Sequence, residues 1–259
     1  MNNLEVRTII GDAMVWVREA GGVLMRYFRG DNLDVHSKGN ASDLVTAADK
    51  ASEQVIISRI REAYPQHVIL SEESGADGRA GEYRWVIDPL DGTMNFSQGL
   101  PLFCVSIGIE YRGRKVAGVV YAPNLNELFY AVRGEGAFLN GRPIKVGGKS
   151  SLSESVVATG FPVDKDVNPV NNIDNVAVIV PQVRGLRRFG SAALDLCYVA
   201  SGQFDGYWEM NLHEWDVCAA LLILEEAGGV YSHFRSDRNI SIVAGNKNIH
   251  DAIARRLKL

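Results

Sequence analysis

The sequence predicts an α+β half joined to an α/β half, with no separable linker between them. Three observations predict this: amphipathic helical periodicity at the start, a period-two meander over 103–144, and alternating strand and helix patterns from about 155 onward. The 259 residues read as one unit, its first half spanning about 1–150 and its second about 151–259. Two halves meeting in this way are expected to share a site at their seam.

The first helix is read over 4–28, where Val6, Ile10, Ala13, Val17, Ala20, Leu24 and Phe28 recur at steps of three and four. A second runs from about 46 to 63 and ends before Pro65. Segments 67–70 and 83–88 read as short strands that each run into acidic residues. The meander FCVSIGIEY, KVAGVVYAP, ELFYAVRG and GAFLNGRPI is punctuated by Gly113, Pro123-Asn124, Gly134 and Asn140-Gly141 as hairpin turns. The second half reads as strand 155–159, helix 168–180, strand 185–189, helix 191–201, strand 205–209, helix 216–227 and strands 230–233 and 240–244, closed by a short helix.

Composition limits the function classes. A formal charge of −4 lacks the basic excess of a nucleic-acid-binding surface, so no nucleic-acid partner is expected. Cys104, Cys197 and Cys218 are widely spaced and form no zinc or redox motif; they read as buried fillers in a reducing compartment. Glu5 and Asp12 interrupt any N-terminal apolar run, and no stretch of 18 apolar residues exists. A cytoplasmic protein with no membrane partner is expected.

The most informative segment is WVIDPLDGTMNF, residues 85–96. An apolar strand delivers Asp88, Pro89 is expected to stop the sheet, and Asp91-Gly92 turns into a short helix beginning at Thr93. Two carboxylates across a Pro-Leu bend can converge while the Leu90 carbonyl turns outward, an all-oxygen set suited to Mg²⁺. The amides of Gly92, Thr93 and Met94 would suit a phosphate oxygen. Alone, DPLDG is equally a strand-ending turn with solvated acids. Glu72, after the apolar run HVIL, would lie beside Asp88 if the two strands end side by side; it reads equally as part of a polar loop. Asp216 opens the helix DVCAALLILEEAGG as an N-cap, a role compatible with a carboxylate directed into a cleft. In DLVTAAD, Asp43 or Thr46 reads as a cap, and Asp49 as a site acid or an exposed first-turn acid.

Together and in order, DxVTxxD, EES, WVIDPLDGTxNF and WD, with GSAALDLCYVASGQFDGYWE before the last, resemble the inositol monophosphatase family. That family belongs to the lithium-sensitive, magnesium-dependent sugar phosphatases, and the likeness covers nearly the whole chain. It implies the layered α-β-α-β-α sandwich of the inositol monophosphatase and fructose-1,6-bisphosphatase type. It implies that Glu72, Asp88 and the Leu90 carbonyl hold a first Mg²⁺, and that Asp91, Asp88 and Asp216 surround a second. About two to three ions per site are expected. The implied catalytic residues are Asp49, Thr93 and Glu72, with Asp49 and Thr93 orienting and activating the attacking water. Implied substrate contacts are Leu90, Asp91, Gly92, Thr93, the helix start Gly190, Ser191 and Ala192, then Glu209 accepting ring hydroxyls, and Asp216. A homodimer is also implied, and the apolar meander over 103–131 is a second ground for expecting one.

The chemistry needs such a set. A phosphate monoester dianion repels hydroxide and carries a poor leaving group; one bound metal acidifies water, and another, roughly 3.5–4 Å away, stabilises the departing oxygen. Met94-Asn95-Phe96 after the DGT is closer to the Thr-Asn-Phe of inositol phosphatases than to the Lys-Glu-Phe of adenosine bisphosphate phosphatases or the Arg of histidinol phosphatases. The expected substrate is therefore inositol 1-phosphate, with fructose 1,6-bisphosphate as the alternative. A regulatory binding protein retaining the fold is the alternative of another class; its mark would be a lost metal ligand, and none is lost. Two departures are noted: VYSHFRSDRNISIVAGN lacks the usual Gly-Gly-Pro-like stretch, and the tract between Glu72 and Asp88 is brief. His213 reads as a structural or rim residue, and Arg187 or Arg188 either pairs with a carboxylate or subunit neighbour or ends a strand in solvent.

Overall fold

The computed structural model describes residues 3–30, 35–37 and 44–258. In chain order the elements are α1 (Asn3–Tyr27), β1 (Val35–Ser37), β2 (Leu44–Thr46), α2 (Ala47–Ala63), β3 (Val68–Ser71), β4 (Gly75–Ala76), β5 (Tyr83–Asp91) and α3 (Thr93–Ser97). The meander follows as β6 (Cys104–Tyr111), β7 (Arg114–Ala122), β8 (Glu127–Val132), β9 (Ala137–Leu139) and β10 (Arg142–Ile144). Then come β11 (Val156–Thr159), α4 (Ile173–Ile179), β12 (Gly185–Arg187), α5 (Ala192–Ala200), β13 (Gly206–Leu212), α6 (Glu214–Glu226), β14 (Val230–His233), β15 (Ile240–Gly245) and α7 (Lys247–Ala254). Asp43, one candidate cap for α2, lies outside the described residues.

An eight-stranded sheet has the order β10-β9-β8-β7-β6-β5-β3-β4, and a five-stranded sheet the order β12-β11-β13-β15-β14. The meander strands pair antiparallel in sequence order. Arg112-Gly113 and Asn140-Gly141 both take positive φ, the twist that closes a tight hairpin. The apolar stripe of α1 packs with Ile56 and Ile60 of α2 on one face of β5–β8. The other face, including Val120, Phe129 and Ala131, packs on α5 and α6. Those helices are apolar nearly all round because the small sheet covers them from the far side with Tyr207, Ile242 and Ala244. The outer face of the small sheet, with Trp208 and Val243, takes Ile249 and Ile253 of α7 and Ile179 of α4. The result is the α-β-α-β-α order of layers. The meander is thus covered on both faces within one chain, so its apolar content supplies no ground for a dimer. Among the described residues no helix is long and apolar enough to cross a membrane.

Pro89 does not stop β5. The strand runs on to Asp91, and its pairing with β6 jumps from Asp88–Ser106 to Asp91–Cys104, three residues against two. The extra residue forms a bulge, where proline forfeits no ladder hydrogen bond. Segment 168–180 is α-helical only from Ile173, because asparagine side chains bind nearby backbone instead: Asn168 Oδ1 accepts from the Val170 amide at 2.9 Å and Asn171 Oδ1 from the Ile173 amide at 3.2 Å. Helix α6 starts at Glu214, with His213 at the cap. Asp216 is therefore its third residue rather than its N-cap, reaching back to accept from the His213 amide at 2.7 Å.

Candidate active site

Parallel pairing of β3 with β5 sets Ser71 opposite Ile87, so the two strands release their acids at one edge. The Glu72 amide donates to the Ile87 carbonyl at 3.1 Å, which brings the two acids to one edge. Within the bulge, Asp88 Oδ1 accepts from the Leu90 amide at 3.0 Å. Asp91 Oδ2 accepts from Ser191 Oγ at 2.7 Å and from the Ala193 amide at 2.8 Å, which ties β5 to the start of α5. Gly190, at φ +79°, makes the turn that presents those donors. Gly92, at φ +94°, leads into α3, and a Cβ there would meet the Leu102 carbonyl at 2.9 Å. Asp49 is fully buried on α2, not an exposed first-turn acid. Thr93 Oγ1 lies 3.1 Å from Asp49 Oδ1 and 3.0 Å from the Leu90 carbonyl, two acceptors competing for one hydroxyl hydrogen.

The electrostatics follow from the packing. Burial, reinforced by Glu72, Asp91 and Asp216, holds the Asp88 carboxyl well above the usual range. Burial also raises Asp91, to about 6, against the pull of the Ser191 and Ala193 donors. Asp216 is raised by burial too, while the His213 amide opposes the rise. Such a set suits a hard divalent cation: the donors are oxygens, ionisation is opposed by mutual repulsion, and Cys104 beside Asp91 is kept a neutral thiol by burial. Among the described residues, no three acidic, histidine or cysteine side chains are gathered closely enough to ligate one ion as they stand. One oxygen each of Asp88, Asp91 and Asp216 is turned to backbone or Ser191 donors instead. The donor chemistry fits Mg²⁺, and closing the shell calls for these oxygens to turn from their present donors.

A cleft of about 360 Å³ opens beside these acids, lined by Glu72, Asp91, Gly190, Ser191, Ala192, Glu209 and Asp216 among others. Another, of about 510 Å³, lies between α1 and α2 and, among the described residues, is lined by no carboxylate. Burial pushes Glu209 up to about 7, opposed by a hydrogen bond from Tyr207 and by the Arg188 guanidinium. Arg188 also lines the cleft, where its charge opposes the rise of Glu209 and Asp195, while the residue itself stays exposed to solvent. His213 stacks on Trp215 at 4.6 Å along the rim. Two contributors escaped the sequence reading. Asn95 Nδ2 donates to the carbonyls of Leu102 and Phe189, at 2.7 and 2.6 Å, and so fixes α3 against the turn at Gly190. Tyr207 stands two residues before Glu209, on the same face of β13, and that i, i+2 spacing was the available signal.

The known proteins similar to this chain point the same way. The Nus factor SuhB of Pseudomonas aeruginosa is 43% identical over 260 residues, covering 96% of this chain and 95% of its own. The inositol-1-monophosphatase of Mesorhizobium japonicum is 42% identical over 246 residues, covering 93% and 92%. The solved structure of the inositol monophosphatase from Anabaena superposes with a TM-score of 0.88 at 43% identity, over 97% of this chain and 96% of that one. The family model described as the inositol monophosphatase family matches residues 5–258, and with the layered fold and the acidic motifs in their order, the chain belongs to that family.

Proposed function

We propose that the chain is a Mg²⁺-dependent phosphomonoester hydrolase that converts inositol 1-phosphate and water into myo-inositol and phosphate, acting in the cytoplasm as a homodimer. The observation that supports this reading best is the electrostatic coupling of Glu72, Asp88, Asp91 and Asp216 beside a cleft that also contains Glu209. Glu72, Asp88 and the Leu90 carbonyl would hold one ion, and Asp88, Asp91 and Asp216 another. Bound Mg²⁺ supplies an acidified water and charge stabilisation for the leaving alkoxide. Thr93 gives its only hydroxyl hydrogen to Asp49 or to the Leu90 carbonyl, which leaves its oxygen to accept from the attacking water. Asp49 holds that orientation. The amides of Gly92, Thr93 and Met94 would receive phosphate oxygens, and the start of α5 at Gly190–Ala192 with Glu209 would receive the alcohol.

The test is a panel of inositol 1-phosphate, fructose 1,6-bisphosphate, adenosine bisphosphate, histidinol phosphate and glycerol 2-phosphate, assayed with Mg²⁺ and with excess chelator. Inositol 1-phosphate is expected to give the highest kcat/KM, and chelator to abolish turnover. Full activity in chelator would overturn the metal assignment, and a clear preference for another substrate would overturn the substrate assignment. The dimer rests on the likeness to the family, and light scattering at the mass of one 28.4 kDa chain would count against it. A second reading, service as a Nus factor, is favoured by the Pseudomonas aeruginosa relative of that name. That role would survive Asp91→Asn; the hydrolytic one would not.

A further inference from the structure

We infer that Tyr207 and Gly160 are positioning residues for recognition of the substrate alcohol, acting through Glu209. The inference rests on the reading that Glu209 receives the alcohol, and it deepens that reading. Tyr207 and Glu209 project from the same face of β13, and Tyr207 Oη donates to Glu209 Oε2 at 2.6 Å. The phenol is wholly buried, and burial and the neighbouring carboxylates keep it protonated, hence a donor. A hydrogen bond from a fixed, buried ring selects one setting of the carboxylate, leaving its second oxygen for a ligand.

Gly160 closes the seat from the other side. A Cβ at Gly160 would fall well inside contact distance of the Glu209 carboxylate carbon and both its oxygens. Only a residue without a side chain leaves room for the acid there. The glycine is itself held in place: Asn172 Nδ2 donates to the Gly160 carbonyl at 2.6 Å and to Thr159 Oγ1 at 2.9 Å. Asn172 Oδ1 in turn accepts from Trp208 Nε1 at 2.8 Å, and Trp208 lies between Tyr207 and Glu209 in the chain. Strand β13 therefore carries both the acid and the anchor for the backbone beneath it. A carboxylate on a flexible side chain loses rotamer freedom when it binds hydroxyls; one already seated loses little.

The experiment measures kcat/KM for inositol 1-phosphate relative to glycerol 2-phosphate, in excess Mg²⁺. It compares the wild type with Tyr207→Phe, Gly160→Ala, Glu209→Gln and the Tyr207→Phe/Glu209→Gln double variant. Tyr207→Phe keeps the ring and removes only the donor, and is expected to lower the ratio about tenfold, chiefly through KM. Gly160→Ala, which displaces the acid without altering it, is expected to move the ratio the same way. In the Glu209→Gln background, Tyr207→Phe should lower the ratio no further, because its effect passes through the acid. The inference is overturned if Glu209→Gln lowers the ratio while Tyr207→Phe and Gly160→Ala leave it within about twofold of wild type. It is equally overturned if Tyr207→Phe has the same effect with and without Glu209. If Glu209→Gln itself leaves the ratio unchanged, the underlying reading of Glu209 fails.

Discussion

Helix α6 rests on two glycines that face each other across β6 and β7, Gly108 and Gly118. A Cβ at Gly118 would lie 2.6 Å from the Ala219 carbonyl oxygen and 2.9 Å from its Cα, all backbone atoms that cannot rotate away. Ordinary contact begins near 3.4 Å, so Gly118→Ala must push the helix off the sheet by about 0.8 Å. Overpacking against backbone that cannot give falls in the upper half of the usual range, about 2–3 kcal/mol, partly offset by about 0.5–1 kcal/mol from the stiffer unfolded chain. A net loss of about 1–2 kcal/mol is expected in urea unfolding. Asp216 lies three residues before Ala219, about 4.5 Å along the axis, and moves with it. A displacement near 1 Å in a reacting constellation can cost up to about 100-fold, so kcat should fall tenfold or more and half-saturation should need more Mg²⁺. Unfolding curves and a Mg²⁺ titration of the rate check both parts. Stability within 0.5 kcal/mol of wild type, about the scatter of a neutral surface change, would refute the packing argument. Lost stability with unchanged Mg²⁺ dependence would refute the link from helix seat to site.

Adjacent glycines in α1 should respond with opposite signs. Gly21→Ala places a Cβ 2.8 Å from the Tyr121 ring and should destabilise by about 1–3 kcal/mol, whereas Gly22→Ala meets nothing within 4 Å and should stabilise by up to about 1 kcal/mol; thermal melts of both decide it. His67 accepts from Trp85 Nε1 at Nδ1, 3.0 Å away, and burial lowers its pKa below 6.5. The unfolded chain then binds the proton more readily, so stability conferred by neutral His67 is present above about 6.5 and is lost as pH falls toward the folded value. His67→Gln should flatten that part of the stability profile, and an unchanged slope would refute the assignment.

Elements whose pattern is local were legible in the sequence. The stripe of α1 and the hairpin glycines specify their structure within a few residues, and both are found where periodicity puts them. The order of the acidic motifs carried the family. Less legible were features decided by a partner distant in the chain. Pro89 is tolerated because β5 bulges where it pairs with β6, and that depends on a register no local pattern records. The tie from Asn95 to Phe189 spans 94 residues, and the fit of Glu209 over Gly160 depends on the crossover between β11 and β13. Asp216 was misassigned as a cap because Ser, Thr, Asp and Asn lead at that position, while here His213 takes it and Asp216 reaches back from the third.

Turnover of inositol 1-phosphate by Asp91→Asn in saturating Mg²⁺ tests the central claim most directly. Asparagine keeps an oxygen able to accept from Ser191 and the Ala193 amide, so folding should be nearly intact, while the charge that would help Asp88 and Asp216 hold the second ion is gone. The account predicts a loss of several orders of magnitude in kcat with a thermal midpoint close to wild type. Near-wild-type turnover in that variant would contradict it.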